Sequence, residues 1–128
     1  MVNQMKKLFV LPVVLTVLAL TLVGCGKEYI EQPNFDEDYW LRQERGIVVY
    51  NDFSCDYYIV ETSRGYTVVR NYSGLTPFNG DVLYGDFSSW GYRTIYNRSS
   101  GYLIRGDVRD YWLSWFRARD IVAFQCGR

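Results

Sequence analysis

"CDYYIVETSRGYTVVRNY", residues 55–72, decides the fold. Two runs rich in Val, Ile, Thr and Tyr flank Ser63-Arg64-Gly65, and so short a polar turn between β-prone runs predicts an antiparallel hairpin. Tyr57 and Tyr58 are adjacent, so in a strand their rings face opposite sides. The same pattern extends outward in both directions. "GIVVYN" begins at Gly46, "DVLYGDF" at Asp81, "GYRTIYN" at Gly91 and "GYLIRGDV" at Gly101. Between them "DFS", "SGLTPFNG", "SSW" and "RSSG" supply turn chemistry. About six short strands at roughly ten-residue spacing predict a mainly β domain, a small antiparallel barrel or sandwich.

The flanks of this region read differently. Tyr39 to Arg45 suits a short helix, with Asp36 or Asp38 as its cap. Near residues 115–123 two readings stand. Ser114 can cap one or two helical turns through "WFRARDIVAF". Alternatively "DIVAFQC" is a closing strand, which the β-branched pair Ile121-Val122 slightly favours. "GDVLYGDF" at 80–87 and "GDVRDYW" at 106–112 echo one another, but the match is too short to establish a repeat. "RGD" at 105–107 sits inside a strand-like run and is read as strand, since tripeptides match by chance.

At the start, Lys6 and Lys7 precede an apolar run from Leu8 to Val23, which ends at "LVGCGKE", residues 22–28. Charge, then apolar residues, then small residues is the layout of a secretory signal. The run is short for a membrane-crossing helix, which needs about 20 apolar residues. Leu22-Val23-Gly24-Cys25 resembles the lipobox of bacterial lipoproteins. That resemblance covers residues 1–26 and implies cleavage before Cys25, whose sulfur would carry the lipid and whose amine would become the new N-terminus. It also implies export and anchoring to a bacterial membrane, the outer one in a Gram-negative host. The expected organisation is a signal over 1–24, a lipidated acidic tether over 25–38 and one β-rich domain over 39–128.

Three cysteines are an odd number for an exported chain. With Cys25 acylated, Cys55 and Cys126 remain as one expected bridge in an oxidising compartment. The chain from Cys25 carries 12 basic and 14 acidic residues, a net charge of −2 once Lys6 and Lys7 are set aside. The signs are split. Glu28 to Glu61 holds nine acids against Arg42 and Arg45, whereas Thr62 to Arg128 holds nine arginines against five aspartates. An exported domain with no recognition motif is not expected to bind nucleic acid.

The chain has no histidine, which excludes the usual nucleophilic triads and most transition-metal sites. Lys27 lies in the tether, so a Ser-Lys dyad has no good candidate. A glycosidase needs two placed carboxylates, and here Glu61 has only turn-like Asp81, Asp86, Asp107 and Asp110 to pair with. No calcium loop or phosphate-cradling glycine loop is present. A non-catalytic protein without cofactor or metal is therefore expected, with a carboxylate-dependent hydrolase as the remote alternative.

Aromatic residues are abundant instead. Setting Phe9 aside, 22 of the 23 Phe, Trp and Tyr residues lie beyond the signal, too many for so small a core. Rigid rings with polar tips, beside arginines, suit protein interfaces and stacking on sugars. Trp90, Tyr92 and Arg93 in "SSWGYR" are the first candidates, because a turn at Gly91 would present both rings. Trp112 and Trp115 in "DYWLSWFR" come next. The expected partner is an envelope protein or glycan.

A lipid-anchored barrel tied from its first strands to its last residues also resembles the membrane-bound c-type lysozyme inhibitors. Cys25, Cys55 and Cys126 carry that resemblance. It implies inhibition of a lytic enzyme as a second function. The family's Ser-Gly-x-x-Tyr and Phe-Trp-x-Lys-Gly segments are not found, and "SSWGY" at 88–92 is a loose echo of them.

Overall fold

A computed structural model describes residues 35–127 of the chain, so Cys25 and the signal lie outside the described residues. Six antiparallel strands close into a barrel. They are β1 (Glu44–Asp52), β2 (Tyr57–Thr62), β3 (Gly65–Ser73), β4 (Val82–Gly85), β5 (Gly91–Asn97) and β6 (Tyr102–Leu113). Neighbours around the barrel run β1-β2-β3-β6-β5-β4, and β4 returns to β1. Two three-stranded meanders are thus joined along two seams. The barrel, rather than the sandwich, is the architecture.

The "SRG" hairpin forms as its sequence requires, with Thr62 paired to Gly65 across a two-residue loop. Tyr57 to Val60 is buried at four successive positions, because β2 is covered on both faces. Tyr58 and Val60 point into the barrel with Val48, Val69, Leu83, Phe87, Ile95, Ile104 and Val108. Tyr57 and Ile59 point outward, beneath a helix. In a barrel this narrow the inward side chains of neighbouring strands crowd one another. A Cβ on Gly46 would overlap a Val60 methyl, and one on Gly106 would lie 2.7 Å from a Val69 methyl. Glycine at these two places leaves room for side chains to fill the interior.

Two helices flank the barrel. The first, α1 (Glu37–Leu41), is capped by Asp36, whose carboxylate accepts from the Asp38 and Tyr39 amides at 3.0 and 3.4 Å. It starts and stops earlier than the 39–45 segment read from sequence. Glu44 and Arg45 belong instead to β1, where they pair with Gly85 and Tyr84 of β4. A ladder shared with a neighbouring strand outweighs one more helical turn.

The second, α2 (Trp115–Gln125), corrects the closing-strand reading of "DIVAFQC". Ser114 caps it, its hydroxyl accepting from the Arg117 amide at 3.2 Å. Trp115, Ala118, Ile121, Val122 and Cys126 recur at helical spacing and pack on the outer face of β2 and β3. That period, rather than the β-branched pair, sets the conformation. Cys126 meets Cys55 at disulfide distance, with Cα atoms 5.6 Å apart, so the end of α2 is tied to the turn between β1 and β2.

The two Gly-Asp-Val copies occupy unlike places. Asp81 precedes β4, whereas Asp107 lies in the middle of β6 opposite Arg70 and Tyr92. Arg105 and Asp107 of "RGD" lie within the same strand, and Asp107 is buried.

Candidate functional site

Residues 86–90 leave β4 and cross one end of the barrel before β5 begins. Phe87 enters the interior and is fully buried. Its amide donates to Glu44 Oε1 at 3.0 Å, and its carbonyl accepts from the Thr67 hydroxyl at 2.9 Å. Ser88 Oγ donates to the same Glu44 carboxylate at 2.9 Å and accepts from Trp112 Nε1 at 2.9 Å. Strands β1, β3 and β6 therefore all hold this loop.

Strand β5 holds it too. The Arg93 guanidinium donates to Asp86 Oδ2 at 2.7 Å, to Ser89 Oγ at 2.9 Å and to the Trp90 carbonyl at 2.7 Å. Burial pushes the Asp86 carboxyl up, but hydrogen bonds from Ser89 and Ser88 and the Arg93 charge outweigh it, leaving Asp86 below its ordinary range. The sequence offers Arg93 as a ligand contact. Its side chain is only 16% exposed and folds back on the loop, so its work here is to position Trp90.

Gly91 then turns the chain at φ +114°, and Trp90 and Tyr92 emerge on either side of it. Both are 69% exposed, and Tyr72 and Trp112 join them at 61% and 53%. The rings make a stripe of two contacting groups, which adjoin at the hollow that Trp90 and Tyr92 both line. Tyr72 meets Tyr92 edge-on at 5.1 Å, Trp90 lies 5.5 Å from Tyr111, and Tyr111 meets Trp112 at 5.4 Å. Arg64 covers the far end, 5.4 Å from the Trp112 ring.

The β3–β6 seam explains how strands deliver these rings. Its register slips three times, between Tyr66 and Val68, between Val68 and Val69, and between Asn71 and Ser73. The residues left over at those slips include Tyr72, Arg109, Tyr111 and Trp112. Bulges re-aim side chains and gather beside binding sites. Trp112 carries the signature further, at φ +56°, a left-handed conformation uncommon for a bulky residue. Such strain persists only where neighbours enforce it, and here the Ser88 hydrogen bond and the Tyr111 and Arg64 contacts do so.

Two hollows flank Tyr92. One, of about 420 Å³, is lined by Tyr72, Tyr92, Arg93, Thr94 and Arg105. The other, of about 330 Å³, is lined by Trp90, Gly91, Tyr92, Asp107, Val108 and Arg109. Both fall within the roughly 300–1,000 Å³ of small-molecule sites. In the second, Arg109 donates to buried Asp107 at 2.9 Å, and that bond holds the guanidinium above its ordinary pKa.

Sequence reasoning selected Trp90, Tyr92 and Trp112, and the structure brings them onto this stripe. Trp115 lies elsewhere: it begins α2, packs 5.3 Å from Tyr66 and is half-buried in the outer core. Tyr72, Tyr111 and Arg105 were missed. No periodic signal marks them: Tyr111 and Arg105 fall in step with Leu113 and Leu103 as ordinary strand residues do.

Of the carboxylates weighed for hydrolysis, Glu61 is exposed on β2, Asp107 binds Arg109, and the other three hold bonds to nearby turns and strands. Asp81 accepts from the Phe78 amide and Asn97, Asp86 from the loop, and Asp110 from the Tyr111 amide. No family model, curated protein or solved structure matches this chain.

Proposed function

We propose that this chain is a lipid-anchored envelope protein whose barrel is a non-catalytic binding module for a protein or glycan. The observation that carries the binding reading is the aromatic stripe of Tyr72, Tyr92, Trp90, Tyr111 and Trp112, four of its five rings more than half exposed. Holding large rings in water gains nothing for folding. A loop tied to β1, β3, β5 and β6 fixes Trp90 and Trp112 before any partner arrives, which lowers the ordering cost of binding.

Trp90→Ala is the test. Trp90 is exposed, so the substitution is expected to change stability by only about 0.5 kcal/mol. Truncating a ring at the centre of an interface is expected to cost about 2 kcal/mol or more in affinity. The measurements are thermal unfolding and retention of the partner recovered from envelope extracts. A large fall in melting temperature, or full retention, would count against the stripe.

The anchor is tested separately. Cys25→Ser is expected to leave an unprocessed precursor that takes up no fatty-acid analogue. Normal maturation of that variant would mean that an ordinary signal peptidase acts. Inhibition of a lytic enzyme is the second reading, supported by the rigid Asp86–Trp90 loop, which is the kind of element that can block a cleft. A lysozyme assay with the wild type and Trp90→Ala separates the two readings.

A further inference from the structure

The charges around the stripe narrow its ligand. On the outer face of β3 and β6, Arg70 and Arg105 are exposed and have no carboxylate partner among the described residues. The acid closest in register to both, Asp107, is already neutralised by Arg109. Two unmatched guanidiniums therefore stand on this face, and one of them, Arg105, borders the larger hollow with Tyr72 and Tyr92. Guanidinium is the group that grips carboxylate in a two-point fork.

The hollows place these groups in order. In the larger, Arg105 lies among Tyr72, Tyr92 and Thr94, so one bound unit meets ring faces, a hydroxyl and an unpaired cation together. In the smaller, Trp90 and Tyr92 stand beside the Asp107–Arg109 pair, a donor and acceptor combination suited to hydroxyl groups. A pyranose ring is apolar on its C–H faces and polar on its rim. Those faces match the electron-rich face of an aromatic ring. Because Tyr92 borders both hollows, neighbouring units of one chain can occupy the two together.

We infer that the hollows flanking Tyr92 take an acidic saccharide, a chain of at least two sugar rings carrying carboxylates. This rests on the binding reading above and specifies its ligand class. Arg105 receives the carboxylate, Tyr72, Tyr92 and Trp90 supply the ring platforms, and Asp107 with Arg109 receives hydroxyls. Arg93 contacts the larger hollow but stays engaged with its loop.

The experiment is a titration followed by tryptophan fluorescence and calorimetry, using the whole chain as it is purified, with its cysteines oxidised. The probes are galacturonate and mannuronate hexamers, the same hexamers with their carboxyls methyl-esterified, and polyglutamate of matched charge. At least one acidic hexamer is expected to bind saturably, and its ester at least tenfold more weakly. Arg105→Gln is expected to weaken the acid at least tenfold and the ester less than twofold. Tyr92→Ala is expected to abolish both.

Equal affinity for acid and ester would overturn the carboxylate inference while leaving the binding module standing. Polyglutamate binding as tightly as the hexamers would assign the face to an acidic protein and overturn it too. Saturable binding of neither acid overturns the inference, and the Trp90→Ala retention assay then decides the broader reading by itself. Arg105 is exposed, so unchanged unfolding of Arg105→Gln separates loss of contact from loss of fold.

Discussion

Phe87→Ala is expected to lower stability by about 3–5 kcal/mol, the range for emptying a buried phenylalanine site. Phe87 is fully buried at one end of the barrel, where it fills space between Val60, Leu83 and the strands around them. The cost should fall at the upper part of that range, because Glu44 and Thr67 hold the Phe87 backbone in place and hinder collapse into the void. Urea unfolding would measure it. The comparison with Trp90→Ala is informative, since three positions along one loop separate a core residue from a surface one. Equal, small losses for both would mean that Phe87 does not plug the barrel.

Removing the bridge between Cys55 and Cys126 is expected to cost a similar amount, about 4 kcal/mol by the chain-entropy argument for a loop of this size. The two positions are 71 residues apart, so the unfolded chain gains much freedom when they part. For a domain this small the loss corresponds to a fall in melting temperature of roughly 15–30 °C. The double variant Cys55→Ser with Cys126→Ser avoids leaving a lone thiol. Reductant should bring the wild type to the level of that variant and leave the variant unchanged. Free thiols at both positions in the purified, unreduced protein would overturn the pairing.

Much of the strand content was legible because it is local. "YYIV" shows no alternation, and its burial on two faces accounts for that: one face meets the barrel interior and the other meets α2. The turn at Ser63-Arg64 was legible for the same reason. Which strands close the barrel was not, since that depends on β1 finding β4, a pairing that no short stretch encodes. The end of β6 was also hidden. "RDYWL" continues the strand only by slipping register, and a slip leaves no periodic signal.

The site divides along the same line. Trp90 and Tyr92 flank a glycine, and a turn there exposes both by local geometry. Tyr72, Tyr111 and Arg105 come from two strands and reach the stripe through register slips and cross-strand position, which sequence spacing does not contain. Arg93 shows the converse. Its neighbourhood in sequence is aromatic and exposed, yet the loop before it folds back and takes up its guanidinium.

The two seams of the barrel also bear on how the chain acquires its fold. Residue 44 pairs with 85, and residue 66 with 113, so neither meander can close on itself. The entropy of closing long loops has to be met before these pairings return anything, and topologies of this kind fold slowly. Until β6 is present, β3 and β5 stand as open edges. A chain emerging from a ribosome therefore completes its native pairing only after its last strand has arrived, when β6 covers both open edges at once.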